Sequence, residues 1–396
     1  METLKKINLI NDHQIAIVGG GPGGLALARL LQLKGANVKV YERDLNQKAR
    51  VQGAIVDLHY HSGLKVLEAA GLTDAFKARY MQGADSFRLV DEHANILLDD
   101  YLQSGTYTFG DEHFRPEIDR GALRDILIDS LLPGTVIWDS QLLNLSFSNG
   151  RWELQFKNGT LASSDLVIGC DGYRSCVRQY LTDVSPLYSG ASIIQGEIDN
   201  PETACPGLYR MINQGSLMAA GPGKMLVVQP RGDGGLTFYA ASMYPENWKH
   251  VNGIDFHVHE EVCTYLTQFY HDWHASFHSM FSACSNFTYR PLNYHPLKLR
   301  WQTKPNITIL GDAAHLMPPN GEGVNLAMLD ALDLSECLTN ETYQNIEAAL
   351  KAYEDIMFER ASPICEETVQ GIGDFASPNK EAIQKLIQIF GNDENV

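Results

Sequence analysis

Basic residues are scarce in this chain of 396 residues, which has 31 Lys and Arg against 48 Asp and Glu and a formal net charge of −17. This acidic balance argues against a nucleic acid or an anionic membrane as a partner, because both would repel it. Long apolar runs are also missing, so we expect no membrane span. The first residues lack the apolar region of a signal peptide, which predicts a cytoplasmic protein.

Several chemical signatures are absent as well. The seven cysteines form no C-x-x-C pair, which favours a reduced intracellular setting over a disulfide framework. No G-x-S-x-G occurs, so we expect no nucleophilic triad, and no H-E-x-x-H occurs. His271, His274 and His278 have a spacing that zinc could use on one helical face. Without a second ligand motif we interpret them as the polar face of a surface helix and predict no metal site.

The first legible segment is a βαβ unit. Gln14–Val18 is a short apolar run typical of a strand, and Leu25–Lys34 has the apolar spacing of a helix that closes at Gly35. Asn37–Tyr41 alternates like a second strand. The turn between the first strand and the helix contains five glycines in six positions. Because glycine is conformationally costly, a turn of this kind that binds nothing is the weaker interpretation.

Gly19, Gly21 and Gly24 form G-x-G-x-x-G in this turn, and Glu42 follows 18 residues after the last of them. The three glycines permit a tight turn, close approach of a pyrophosphate, and close packing of helix on strand. A carboxylate at the position of Glu42 can accept a hydrogen bond from a ribose 2′-hydroxyl, which favours FAD or NAD over NADP. The motif alone leaves FAD and NAD as alternatives.

A second signal lies at residues 308–325, where a strand is followed by Asp312, two prolines and glycines that open a helix. Such a turn can place Asp312 on a ribityl or ribose hydroxyl, and it can direct the positive end of the helix from Val324 at a ring that is anionic when reduced. A simple β–α connection with a capping aspartate is the alternative. No second G-x-G-x-x-G exists, so a nicotinamide cofactor would have no dedicated Rossmann domain.

Three motifs of the chain resemble those of one protein family, the class A FAD-dependent aromatic-hydroxylase monooxygenases, and they occur in that family's order and spacing. They are the N-terminal glycine fingerprint, the run GDAAH…P…G-x-G-x-N at residues 311–325, and the Asp171-Gly172 pair within residues 165–178. Within the family the sequence is most similar to the tetracycline-inactivating flavin monooxygenases. That likeness rests on residues 40–44, 49–50, 56–59, 116–120 and 205–207, and on GDAAHLMPP.

The resemblance implies an NAD(P)H-consuming monooxygenase that hydroxylates an aromatic or polycyclic small molecule, tetracycline among the candidates, through a flavin C4a-hydroperoxide. The flavin carries the chemistry, so no protein side chain is expected to be catalytic. The implied contacts to bound FAD come from the three fingerprint glycines and from Glu42, Arg43, Asp57, Arg120, Asp312 and Gly323. Arg50 is implied to contact the transient NADPH or NADH, and Gln195 the substrate. The protein is expected to act as a monomer.

Three positions depart from those relatives. Glu322 stands where glutamine is usual, Ser216 where the tetracycline-modifying enzymes carry an arginine, and Thr237 where they carry a histidine. Two other functions therefore stay open: an FAD-dependent reductase or dehydrogenase, and a flavin- or drug-binding protein without turnover. Aromatic residues near Phe238 and Tyr239 could stack a ring-shaped substrate, but we interpret them as core.

The order of these elements predicts an α/β fold with a discontinuous Rossmann-like FAD-binding domain, a mixed β-sheet substrate domain and C-terminal helices. We assign residues 1–80, 110–183 and 291–344 to the FAD-binding domain, 81–109 and 184–290 to the substrate domain, and 345–396 to the C-terminal helices. Apolar spacing further predicts one helical stretch over Glu260–Phe281 and a C-terminal helix over Asn345–Phe358.

Overall fold

The structure, a computed structural model, describes residues 9–10, 13–49, 55–100 and 107–391. Within these ranges the chain forms the strands β1 (Gln14–Val18), β2 (Asn37–Tyr41), β3 (Ile55–Asp57), β4 (Phe87–Asp91), β5 (Ile96–Asp99), β6 (Glu117–Asp119), β7 (Val136–Ile137), β8 (Leu142–Ser148), β9 (Arg151–Phe156), β10 (Leu161–Ser164), β11 (Leu166–Gly169), β12 (Leu187–Ile198), β13 (Ser216–Gly221), β14 (Lys224–Pro230), β15 (Leu236–Met243), β16 (Asn286–Tyr294) and β17 (Ile307–Ile309).

The α-helices in the same ranges are α1 (Pro22–Leu33), α2 (Lys65–Ala69), α3 (Thr73–Lys77), α4 (Arg120–Asp129), α5 (Pro201–Ala204), α6 (Pro206–Ile212), α7 (Trp248–Val251), α8 (His259–Phe269), α9 (Ala275–Ser282), α10 (Asp312–His315), α11 (Gly323–Thr339), α12 (Ile346–Ala376) and α13 (Lys380–Gly391). A π-helical turn, Tyr60–Leu64, precedes α2. None of the helices in the described ranges combines the length and apolar character that crossing a bilayer requires.

The first layer of the fold is a parallel sheet whose strands, among the described residues, run in the order β17-β11-β1-β2-β7. Its central strands are buried aliphatic runs, as in Ile15–Val18 and Leu166–Gly169, because other elements cover both faces. Helices such as α1 and α11 pack on the sheet, and the small antiparallel sheet β10-β9-β8 also packs on it, for example through Phe156 on Tyr41. The connections after β1, β2, β11 and β17 all leave from the same edge, since parallel strands share their carboxyl ends. The predicted Rossmann-like parallel sheet is confirmed.

The second layer is a mixed sheet with the order β16-β12-β15-β14-β13-β4-β5, antiparallel except for the pair β13–β4. One face packs on α6, α8 and α9 through the aromatic core around Phe238, Phe277 and Phe281. The other face packs in part on the end of α12 and on α13, through residues such as Ile372 and Ala376. The remainder of this face is available to line a site, and the mixed sheet and the C-terminal helices agree with the predicted fold class. The limits assigned to each domain segment stay predictions.

Two helix predictions were wrong in extent. The stretch 260–281 is two helices, because the chain turns at residues 270–274 to bury Tyr270 and Trp273 and the side chain of His274 then caps the backbone N–H of Ser276. The shared helical face inferred for the three histidines therefore does not exist. The C-terminal helix does not end at Phe358 but continues to Ala376 with Pro363 inside it.

Candidate functional site

The glycine turn after β1 has the geometry that its motif requires. Gly19 has a φ of +109°, and a Cβ atom there would meet the carbonyl oxygen of Cys170 at 2.3 Å. A Cβ atom on Gly24 would meet the carbonyl oxygen of Gly19 at 2.2 Å, so this glycine lets α1 pack on β1. Gly21, at the start of α1, has no atom within 4 Å of its ideal Cβ position. The backbone thus leaves open space where the helix N–H groups point, which suits a pyrophosphate.

Glu42 lies at the end of β2 and is 3% exposed. Its Oε2 accepts a hydrogen bond from the backbone N–H of Gly20 at 2.6 Å, so the carboxylate braces the glycine turn. Behind it the buried Arg124 of α4 donates to the carbonyl oxygen of Gly20 at 3.1 Å and lies 3.8 Å from Glu42 Oε2. Arg124 is not among the site residues predicted from the sequence. The one local indication was a basic residue at a position of α4 that apolar residues surround.

The Asp171-Gly172 motif forms the neighbouring turn, after β11. Asp171 accepts hydrogen bonds from the hydroxyl of Ser175 at 2.5 Å and from the backbone N–H of Cys176 at 2.7 Å. The buried Arg178 donates to the carbonyl oxygens of Tyr173 and Ala313. Because Ala313 belongs to the turn after β17, Arg178 ties the two turns together.

The turn after β17 depends on Gly311 and a buried ion-pair network. Gly311 has a φ of +60° and donates its N–H to Asp330 Oδ2 at 2.9 Å. Asp330, fully buried in α11, also pairs with His315 Nε2 at 2.6 Å and with Arg360 at 2.7 Å. Burial opposes both charges, but their mutual attraction lowers the pKa of Asp330 and raises the pKa of His315. The network fixes the backbone that presents Asp312.

Asp312 lies in a deep cleft. Its side chain is solvent-exposed, yet the protein surrounds it closely enough for burial to raise its pKa, against which the charges of His315 and Arg120 act. Gly19 and Gly311 follow strands that flank β11, so the two turns lie about 10 Å apart. The helices after them pack directly, since a Cβ atom on Gly23 would meet the carbonyl oxygen of Ala327 at 2.8 Å. The two glycine turns therefore lie side by side at one edge of the parallel sheet.

The short strand β3 and the π-helical turn contact the start of α11. Asn325 Oδ1 accepts hydrogen bonds from the backbone N–H groups of His59 and Gly63, and its Nδ2 donates to the carbonyl oxygen of Asp57 at 3.0 Å. Glu322, just before α11, lies 3.4 Å from His59 Nδ1. Asp57 and Glu322 therefore both lie beside the start of α11.

One face of the mixed sheet carries the other candidate residues. Cross-strand register places Gln195 beside Tyr239, and Glu197 beside Thr237, on the same face. Gln195 is 6% exposed, accepts a hydrogen bond from Arg290 Nε at 2.6 Å and donates to Glu197. The buried hydroxyls of Thr237 and Ser216 have no hydrogen-bond partner within the described part of the chain.

Tyr239 connects this face to the FAD-binding part. It is partly exposed, burial raises the pKa of its phenol, and the charges of Arg120 and Arg290 act in the opposite direction. The two sides also touch directly, because the N–H of Gly232 donates to Asp119 Oδ2 at 3.3 Å, one residue before Arg120. Phe238 is fully buried in the core as expected, whereas Tyr239 is partly buried and packs against the hydrophobic cluster on the other face of the sheet.

The structure thus brings most of the predicted site residues to one cleft. Arg43 and Arg120 are exposed. Gly323 begins α11 with no atom within 4 Å of its ideal Cβ position, so steric crowding does not explain this glycine. Arg50 lies outside the described residues. Within the described ranges no group of three or more His, Cys, Asp or Glu side chains is placed to hold a metal ion.

An FAD molecule fits these features. The open space at Gly21 and the adjacent start of α1 suit a pyrophosphate, and the exposed Asp312 on the other turn can accept a hydrogen bond from a polyol. The unpartnered hydroxyls of Thr237 and Ser216 lie on the mixed sheet, where they can contact a further ligand.

Comparison with known proteins agrees with this geometry. The family described as FAD binding domain matches residues 12–108 and 266–368, just over half of the chain. Monooxygenase asqM of Emericella nidulans is 28% identical over 90% of this chain and 94% of its own length. The 6-hydroxynicotinate 3-monooxygenase of Pseudomonas fluorescens is 26% identical over 89% of both chains.

Among solved structures, tetracycline destructase Tet(51) superposes with a TM-score of 0.71, at 20% identity, over 96% of both chains, which shows the same fold. The family match and the named relatives agree with the glycine turn, the Asp312 cleft and the mixed sheet. The chain belongs to the FAD-binding-domain family and is an FAD-dependent monooxygenase of the class A aromatic-hydroxylase type.

Proposed function

We propose that this protein is an NAD(P)H-dependent monooxygenase that hydroxylates an aromatic or polycyclic small molecule in the cleft between its two sheets. The proposal rests on two surfaces, the glycine turns of the parallel sheet and one face of the mixed sheet, which we place on opposite sides of the cleft. On one side, the Gly19 and Gly311 turns leave the same edge of the parallel sheet. On the other side, Gln195 and two buried hydroxyls that have no hydrogen-bond partner among the described residues lie on one face of the mixed sheet.

Each cofactor residue has a role in this proposal. Gly19, Gly21 and Gly24 shape the pyrophosphate turn, Glu42 braces it, and the exposed Arg43 contacts the adenosine part. Asp312 accepts a hydrogen bond from the ribityl chain. Arg120, Asp57 and Gly323 lie near the flavin ring, and Arg50 binds the transient nicotinamide cofactor. The segments 1–80, 110–183 and 291–344 would together build this half of the cleft.

The protein's contribution to the reaction is binding, orientation and exclusion of water. Bound FAD would supply the acceptance of two electrons from NAD(P)H and the activation of O₂. Gln195 is held by Arg290 and Glu197, so its amide offers a fixed donor to the substrate. The exposed guanidinium of Arg290 would attract a carboxylate or phenolate.

The substrate side favours a compact, partly polar ring system. Ser216 and Thr237 offer hydroxyls that can donate or accept, and both are too short to grip a ligand by charge. The relative that acts on 6-hydroxynicotinate has a substrate of this kind. Tetracycline belongs in the test set because the destructase shares the fold, although the small side chains at 216 and 237 give it no ionic contact.

The test is a panel of hydroxylated benzoates, hydroxypyridines, purines and tetracyclines with the purified holoenzyme. We expect one class to accelerate NADPH or NADH oxidation and to yield a product heavier by one oxygen atom, labelled from ¹⁸O₂. The variant Gln195→Leu should raise the KM for that substrate while leaving reduction of FAD without substrate unchanged. Product without the ¹⁸O label would show a reductase or dehydrogenase instead, and flavin that neither NADPH nor NADH reduces would show a binding protein.

A further inference from the structure

Three side chains meet at the start of α11. Asp57 ends β3, His59 follows it before the π-helical turn, and Glu322 immediately precedes α11. His59 Nε2 lies 2.7 Å from Asp57 Oδ2, and His59 Nδ1 lies 3.4 Å from Glu322 Oε1. The imidazole thus bridges two carboxylates that belong to elements 265 residues apart in sequence.

The bridge requires a protonated ring. A carboxylate only accepts hydrogen bonds, so an imidazole can serve one on each nitrogen only when both nitrogens carry a proton. Burial alone would lower the pKa of His59, but the hydrogen bonds to Asp57 and Glu322 outweigh it and raise the pKa to about 9. The cluster is therefore two negative charges and one positive charge at neutral pH.

The neighbouring strand adds a further carboxyl group beside Asp57. Glu117 of β6 lies opposite Asp57 in the β3–β6 register, and its buried Oε2 has no partner among the described residues. Burial and the nearby Asp57 and Asp85 raise the pKa of Glu117 well above its usual value, against the charges of His59 and Arg120. This shift favours the protonated form of Glu117, and His59 is the cation in contact with Asp57 and Glu322.

Both the backbone and the side chain of His59 contact residues at the start of α11. Its N–H donates to Asn325 Oδ1 at 3.0 Å, in the first turn of α11. Gly63 approaches that oxygen so closely that a Cβ atom would lie 2.6 Å from it. His59 is thus fixed to the helix at two points, which sets the position of Glu322 relative to the helix end.

We propose that His59 is a positioning residue that neutralises Glu322 and holds it against Asp57, so that the start of α11 keeps its positive potential toward the reduced flavin. The helix end carries about half a positive charge, which one full carboxylate charge beside it would cancel. This inference rests on the proposed function, because it needs the flavin ring at that helix end. His59 acts through Glu322 and does not itself take part in oxygen transfer.

The test is the midpoint potential of bound FAD in the variants His59→Gln, Glu322→Gln and the double variant, with FAD affinity measured in parallel. His59→Gln should lower the equilibrium constant for two-electron reduction at least tenfold, or about 30 mV, because two carboxylates then oppose the anionic ring. Glu322→Gln should raise it, and the double variant should return close to the wild-type value. His61→Gln, at a side chain that is 78% exposed, is the matched control and should change nothing.

A pH titration of the wild-type potential supplies an independent readout if a variant fails to fold. Between pH 7 and 10 the wild-type potential should fall more steeply as His59 loses its proton near pH 9, and Glu322→Gln should weaken this inflection. An unchanged potential in His59→Gln, or a double variant whose potential stays as low as that of His59→Gln, would overturn the His59 proposal while FAD remains bound. A wild-type chain that takes up no FAD would overturn the proposed function and this inference with it.

Discussion

Two alanine substitutions in one glycine turn should have opposite consequences. Gly21 has a φ of −80°, and its Cβ position is open, so alanine fits the folded apoprotein without strain. Alanine at such a position stabilises by about 0.4–1 kcal/mol through the unfolded state. The added methyl group, however, occupies the space that we assign to the pyrophosphate. Gly21→Ala should therefore keep or slightly raise apoprotein stability while raising the Kd for FAD at least tenfold, or about 1.4 kcal/mol.

Gly24→Ala is the matched contrast. Its methyl group would lie 2.2 Å from the carbonyl oxygen of Gly19, and backbone atoms cannot move aside as a flexible side chain can. Overpacking of this kind costs about 1–3 kcal/mol or more, so urea unfolding of the apoprotein should shift to lower concentration. Fluorescence titration with FAD and urea unfolding measure the two quantities separately. If Gly21→Ala binds FAD like the wild type, the pyrophosphate does not lie at this turn and the assignment fails.

Substitution of three buried polar residues should change stability or substrate binding in distinct ways. Arg124→Met should destabilise the apoprotein by about 3 kcal/mol in urea unfolding, because Glu42 loses its buried counter-charge, whereas the half-exposed Arg151→Met should cost less than about 1 kcal/mol. Because the pKa of His315 is raised, the stabilisation by its protonated ring is complete below pH 6.5 and is lost as the pH rises through that raised pKa. His315→Gln should remove this loss of stability, and a variant with the pH profile of the wild type would contradict the prediction. Thr237→Val should leave stability equal or higher, since its hydroxyl has no hydrogen-bond partner in the described part of the chain, but should raise the KM of the true substrate.

Local signals in the sequence predicted the first βαβ unit and its glycine turn well. Strand β1, the glycine turn and β2 have the bounds expected from apolar alternation, and the special backbone angles fall on glycines such as Gly19 and Gly311. These features depend on residues within a few positions of one another. Helix interruptions were less visible: Tyr270 and Trp273 continue the apolar spacing of α8, although they are buried in a turn, and Pro363 stands inside a helix that its own chemistry disfavours.

The side-chain networks could not be predicted, because they join elements that are far apart in sequence. Arg124 reaches the carbonyl oxygen of Gly20 across 104 residues, and the bridge from His59 to Glu322 spans 263. Such pairs depend on the order of strands in the sheet and on helix packing, which periodicity does not specify. The departure at Glu322 was visible in the sequence, but its counter-charge was not.

The two halves of the cleft differ in how their residues are constrained, and this difference predicts where specificity can change. On the cofactor side, Gly19 and Gly24 are fixed by contacts with backbone atoms, so substitution there damages the fold. On the substrate side, the hydroxyls of Ser216 and Thr237 make no hydrogen bond with any residue that the structure describes, so replacing them with residues of similar size costs the fold little. The same parallel sheet and cofactor turns can therefore serve different ring systems through changes at these sheet positions. Exchange of residues 216 and 237 should alter substrate preference with FAD affinity unchanged, and a parallel loss of FAD would show that the two halves are not independent.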